Sequence, residues 1–287
     1  MRNALITGLP RSGTFLVCSL LNSLPNSVAL AEPMDVSLFL ANNDDHNQRL
    51  IDDFFASQRL SILTESTAAG KCVGGRTPTN PVGDELVDGV RSYVLDGSSM
   101  VVDNLDGEGF DLYLKHPVIF TALLPWLADH FACVAMIRNP LAVLMSWSVA
   151  PMPVREGRAP AAERMDPALA NQLDAEPDVL ARQILLLDCF FRRYAASPAL
   201  QIIRYEDLIA TAGRALATFT PAAAGLDAPL QSRNTLELSR NPSASRVAER
   251  LLDSDNACWQ FYSRAEVAEL LALALAGPAV RPAAQSD

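Results

Sequence analysis

The residues best equipped for chemistry are a short glycine-bounded loop and three charged side chains that each end an apolar run. The loop reads Gly8-Leu9-Pro10-Arg11-Ser12-Gly13-Thr14. Glycine, four residues, glycine, threonine is the spacing of a turn whose successive backbone N–H groups cradle a phosphate. ATP and GTP users place a Lys just before the Ser/Thr, where it meets the β- and γ-phosphates. Here that Lys is missing, and the cation sits two residues before Gly13, as Arg11. A planar guanidinium at that point suits a neighbouring anionic group. Of the other three charges, Glu32 and Arg138 follow the runs SVALA and ACVAMI, and Lys115 closes the run LYLK.

Those runs are the elements that must position the charges. Ala4–Thr7 reads as a buried strand, Gly8–Gly13 as a tight turn, and Thr14 opens a helix with Phe15, Leu16, Leu20, Leu21 and Leu24 on its apolar face. Strand, turn and helix together aim a helix N-terminus at the loop. Ser27–Ala31 is a second strand, ended by Glu32-Pro33, where Pro33 biases Glu32 towards extended backbone. Residues 112–115 and 132–137 are further strands, closed by His116-Pro117 and Arg138-Asn139-Pro140. Ligands of open parallel sheets collect at such carboxyl ends.

Between the strands, residues 35–65 read as mainly helical with Asp/Asn punctuation at 42–47, and helices are expected at 118–130, 141–149 and 179–195. Residues 66–111 are rich in Gly, Pro, Asp and Ser, with a helix or strand at 84–95 and a strand at 100–103. Residues 150–177 lack firm periodicity and read as an excursion covering a site or binding an acceptor. A strand at 200–204 leads through Tyr205-Glu206-Asp207 into a helix to about Phe219, followed by a polar stretch at 225–246. A last helix runs from about Arg264 to Ala276, and the tail 277–287 reads as disordered. Strand then helix recurs, and no repeat of about 20–50 residues is visible. The expectation is one α/β domain over residues 1–276: three-layer, with a mostly parallel central sheet, helices on both faces and a P-loop-like opening.

Composition narrows the partners. The 287 residues carry a net charge of −10, which disfavours a nucleic-acid polymer, whose phosphate backbone wants a basic face. Any anion site must be built locally against an acidic background, which favours a small enclosed ligand. No apolar run of about 18 residues exists to span a membrane. The five cysteines are scattered and read as buried reduced thiols, and no metal-ligand cluster is visible, so a cytoplasmic setting is expected.

Three motifs in order now resemble a known family. LPRSGT at 9–14 is similar to the 5′-phosphosulfate loop of the sulfotransferases that use PAPS (3′-phosphoadenylyl sulfate). MIRNPLAVLMSW at 136–147 is similar to their 3′-phosphate motif, a strand, an Arg and then a Ser eight residues on. IRYEDL at 203–208 is similar to a third recurring element, so order and rough spacing agree over residues 4–210. The PRSG loop resembles the tyrosylprotein and bacterial branches. In the tyrosylprotein branch a Glu about twenty residues past the loop Arg is the catalytic base, and Glu32 lies 21 past Arg11.

The resemblance implies transfer of a sulfuryl group from PAPS to a hydroxyl, with PAP as product and no metal. Glu32 would be the general base and Arg11 with Lys115 would stabilise the leaving bisphosphate. Pro10, Ser12, Gly13, Thr14 and Phe15 would surround the 5′-phosphate, the Ser12 and Thr14 hydroxyls included. Arg138 and Ser146 would clasp the 3′-phosphate, with Tyr205 against the nucleotide. His116 stands where the tyrosylprotein branch has Asp, and cytosolic sulfotransferases take a His base from that region, so His116 is a second candidate base. The basic Arg-Lys-Gly element that completes the 3′-phosphate site of cytosolic enzymes is absent, and Ser239, Arg240, Ser245 or Arg246 would substitute. The acceptor expected is a small molecule or glycan rather than a peptide tyrosine. An ATP-dependent small-molecule kinase, or a non-catalytic PAP-binding protein of the same fold, is the alternative.

Overall fold

The computed structural model describes residues 1–276; the tail expected to be disordered lies outside the described residues. In chain order the elements are β1 (Asn3–Gly8), α1 (Thr14–Asn22), β2 (Ser27–Ala31), α2 (Asp44–Glu65), β3 (Thr67–Cys72), β4 (Val82–Val87), β5 (Val90–Tyr93), β6 (Gly97–Val101) and β7 (Asp111–Lys115). There follow α3 (Pro117–Ala122), α4 (Trp126–His130), β8 (Cys133–Ile137), α5 (Pro140–Ser148), α6 (Pro160–Met165), α7 (Pro167–Ala175) and α8 (Val179–Ala195). The last are β9 (Gln201–Arg204), α9 (Tyr205–Ala210), α10 (Ala244–Leu252) and α11 (Arg264–Leu275).

Five strands form one parallel sheet in the order β2-β7-β1-β8-β9. Alternation along each strand sorts side chains to two faces. Leu5, Leu112, Leu114, Ala135 and Ile137 join the core beneath α2, α3, α5 and α8. Ile6, Tyr113, Val134 and Met136 join a second core beneath α1 and α9. Helices therefore cover both faces of an α/β sheet, as expected. The chain leaves β1 towards β2 and β7 on one side, then crosses to β8 and β9 on the other. The crevice at the carboxyl ends near β1 is thus a topological switch point.

Three stretches differ from expectation. Residues 66–111 hold two small antiparallel sheets, β3 with β6 and β4 with β5, set apart from the parallel sheet. The region expected as a helix or strand at 84–95 is mostly the β4–β5 hairpin, turning at Asp88-Gly89, where both residues take positive φ. The aperiodic stretch 150–177 is a run of short helices, one of them a 3₁₀ turn at Pro153–Glu156. Pro153, Pro160 and Pro167 each open one of them, at a position whose N–H has no intrahelical acceptor. The helix expected to reach Phe219 stops at Ala210, because Ala212 and Gly213 take positive φ.

Candidate functional site

The loop after β1 is shaped by two close approaches. Gly8 has φ 142°, and a Cβ there would stand 2.3 Å from the Met136 carbonyl oxygen on β8. Gly13 has φ 94° and lies against the Tyr205 ring, 2.9 Å from where its Cβ would be. Between them Arg11 holds φ 72°, a left-handed conformation rare for a non-glycine residue and common where function constrains backbone. The Trp147 indole N–H donates to the Pro10 carbonyl at 2.8 Å, so that Trp holds the loop from the core. Gly13 is the N-cap of α1 and offers no side-chain cap, so the first-turn N–H groups of Thr14, Phe15 and Leu16 have no intrahelical acceptor.

This loop floors a cleft of about 1100 Å³ along the strand ends. Eight Lys and Arg side chains line it against three carboxylates, in a chain whose net charge is −10. Arg11, half-buried in the cleft, donates through Nε to Ser146 Oγ at 3.1 Å and through its terminal nitrogen to Asn80 Oδ1 at 2.9 Å. Burial, and then the neighbouring Arg138, Arg91 and Arg233, push its guanidinium down to about 10. Three further guanidinium groups thus crowd Arg11, and an anion in the cleft would relieve that like-charge repulsion.

Arg138 is almost fully buried at the end of β8 and stacks 4.6 Å above Tyr205. It donates to Asn234 Oδ1 at 2.7 Å, to the Arg11 carbonyl at 2.9 Å and to the Arg233 carbonyl at 2.8 Å. It therefore joins the loop after β1 to residues 233–234. Arg91, also buried, reaches in from β5 and pairs with Glu237 and Asp84, while its Nε has no partner. Asp84 in turn pairs with Arg233.

On the other side of the loop stands a cation–anion–cation row. Lys115 Nζ is 2.7 Å from Glu32 Oε1, and Lys71 Nζ from β3 is 2.5 Å from Glu32 Oε2. Burial pushes the Glu32 carboxyl up, but the two ammonium groups outweigh it and hold the carboxyl far below the usual carboxylate range. Lys115 itself is buried, with its ammonium 3.9 Å over the Phe15 ring. His116 Nε2 accepts the Met34 N–H at 3.0 Å, and burial pushes its imidazole down to about 3. Its basic nitrogen is committed to backbone, so it is a neutral fixture of the wall.

Of the residues named from sequence, Pro10, Arg11, Gly13, Thr14, Phe15, Glu32, Lys115, His116, Arg138, Ser146, Tyr205, Ser239 and Arg240 all line this cleft. Ser12 does not: its hydroxyl and its N–H both donate to the Leu9 carbonyl, at 2.7 and 3.1 Å, and stiffen the turn instead. Arg246 does not either. Ala244 opens α10, and the exposed Arg246 on it neighbours Asp178, away from the cleft; Ser245 is likewise exposed there. Lys71, Asn80, Arg91 and Arg233 do line the cleft and were not foreseen. For Arg233 the available signal was its place in the polar stretch 225–246; for the others none existed short of the fold.

No protein-family model and no curated protein matches the chain. Among solved structures it is similar to the sulfotransferase STF9 from Mycobacterium avium, at 13% identity and a TM-score of 0.35. That likeness covers 98% of this chain and 77% of the other. So distant a likeness fixes neither activity nor ligand.

Proposed function

We propose that the chain is a sulfotransferase of the PRSG type, moving a sulfuryl group from PAPS to a hydroxyl acceptor and releasing PAP. The observation that carries this reading is a cationic cleft at the strand ends, around an uncapped helix N-terminus, with a Glu–Lys pair at its edge. The N–H groups of Thr14 and Phe15 suit a 5′-phosphate. The Arg91, Arg138 and Arg233 cluster, with Ser146, suits a second phosphate at the ribose 3′ position, which PAPS has and ATP lacks. The loop has no Lys to serve a triphosphate.

In this reading the acceptor oxygen bonds to sulfur as the bond from sulfur to the 5′-phosphate oxygen breaks. The electron pair leaves on that phosphate oxygen, where Lys115 and Arg11 offset its charge. The hydroxyl proton passes to Glu32. A carboxylate held so low is a weak base towards a free alcohol. The hydroxyl becomes strongly acidic as its oxygen joins sulfur, so the proton moves late and a weak base suffices. Glu32 Oε2 must part from Lys71 to receive it. Tyr205 acts as a prop between Gly13 and Arg138. Five unpaired cysteines, four of them buried, fit a reducing cytoplasm.

Calorimetric titration with PAP, ADP and ATP in the absence of Mg²⁺ tests the reading. PAP binding at least about tenfold tighter than ADP is expected, the scale of one charge-assisted contact. Preference for ATP, or no binding of PAP, would sink it.

A further inference from the structure

The cleft has two apolar walls, and they belong to different cores. Phe15, Leu16, Leu95, Ile209 and Leu230 line it from the side of α1 and α9. Val36, Val118, Ile119, Met152, Val154 and Ala161 line it from the opposite face of the sheet. The loop and its helix N-terminus belong to the first side, so a nucleotide held there leaves the second wall to the acceptor. Glu32 and Lys115 stand between the two.

The second wall is prebuilt. The Gln183 amide donates to the Val154 and Arg155 carbonyls at 3.0 Å each, which anchors 153–156 to α8. Arg164 donates to the Val36 carbonyl, which ties α6 to the segment after β2. Its polar side chains are already engaged. Arg158 is taken by Glu163 and Asp174, and His116 by the Met34 N–H. What faces an acceptor on this side is therefore mainly apolar surface, with the Lys71–Glu32–Lys115 row at its edge and Glu32 its one anionic group.

We infer that the acceptor is a small apolar hydroxyl compound, an alcohol or phenol presenting one hydroxyl to Glu32 and laying its hydrocarbon body on Val36, Val118, Ile119 and Met152. This rests on the sulfotransferase reading. A sugar brings several hydroxyls, each of which loses water on entry and needs a partner that this wall lacks. A single-hydroxyl apolar molecule needs one polar contact and gains from every methylene it buries. This narrows the expectation of a small molecule or glycan to the first of the two.

The test titrates 1-octanol, 2-naphthol and methyl α-glucopyranoside into the full chain, with and without saturating PAP. At least one of the two apolar compounds should bind roughly tenfold or more tightly than the glucoside, the scale of one or two buried methylenes. Val118→Asn and Met152→Asn, both half-buried at the cleft, should each erase that preference while PAP affinity stays as in the wild type. Glucoside binding as tight as either apolar compound, or no binding of octanol and naphthol, would overturn the inference even if PAP binds. Failure of PAP alone would sink the nucleotide reading, and the titrations without PAP would then decide the apolar wall by the same criterion.

Discussion

Glu32 and Lys115 are joined twice: the Glu32 N–H donates to the Lys115 carbonyl at 2.8 Å, and the Lys115 ammonium donates to Glu32 Oε1 at 2.7 Å. The backbone bond continues the β2–β7 register, in which Ala31 lies opposite Lys115. Glu32 then leaves the strand with φ 50°, a left-handed turn in place of the extended backbone expected before Pro33, and this turns its carboxylate back over the strand end. The ion pair is thus set by sheet pairing, not by two long side chains finding each other, and little entropy is lost in holding it. That separates it from an ordinary surface pair.

On the proposed reading, in which Glu32 is the base and touches no phosphate, replacing it by Gln should cut turnover by ~10²–10⁴ and leave PAP affinity unchanged. The same variant reports on stability. The folded-state Glu32 carboxyl sits below its unfolded value of about 4.3, so its contribution is complete above that pH and is lost as pH falls towards the folded value. In that acid window the wild type should lose about 1.4 kcal/mol of unfolding free energy per pH unit more than E32Q. Parallel slopes in urea unfolding at a series of acid pH values would remove the ionised pair from the folded state.

Lys71→Met separates the two cations on Glu32. The Lys71 side chain is 46% exposed, so unfolding free energy should change by less than about 1 kcal/mol. With one ammonium gone the Glu32 carboxyl rises, and the acid limb of kcat/KM should move towards neutral pH. An unmoved limb would mean that Glu32 is not the group the limb reports.

Legibility followed periodicity. β2 and α8 were read with their observed ends, because SVALA is uniformly apolar and 179–195 carries a strong helical stripe. β4 was opaque, since after Val82 its residues are mostly exposed and it has no buried face to alternate with. Residues 150–177 were opaque because Pro153, Pro160 and Pro167 look like breakers in sequence and act as helix openers in the fold. The strand-end residues of the site were legible from local order alone. Lys71 and Arg91 come from small antiparallel sheets that pack over the cleft, so only long-range contacts bring them in. Arg246 misled because the polar run around it continues, unmarked, into the amphipathic α10.

Arg138→Lys tests whether the guanidinium is needed as a fork. Arg138 reaches three acceptors on two loops at once, a geometry that an ammonium on a flexible stem cannot reproduce. PAP affinity should fall by about 1.5–3 kcal/mol in Arg138→Lys and at least as much in Arg138→Ala. Thermal unfolding should fall in both, since the loop bearing Arg11 loses its tie to residues 233–234. Full PAP affinity in Arg138→Lys would reduce the residue to a point charge.

Arg91 and Glu237 form a buried pair that also faces the cleft, so its structural role and its proposed ligand role must be separated. Arg91→Met leaves the Glu237 carboxylate buried without its counterpart and should cost about 3–5 kcal/mol of stability, whereas Glu237→Leu leaves Arg91 on Asp84 and should cost less. Removing both leaves an apolar contact of similar volume, and the double variant should recover most of that loss. Its PAP affinity should not recover. The anion would still have lost one of the three guanidinium groups that crowd Arg11, and with it the donor whose Nε has no protein partner. A stable double variant that binds PAP as tightly as the wild type would make Arg91 a strap for the β4–β5 hairpin, and leave the second phosphate to Arg138, Arg233 and Ser146.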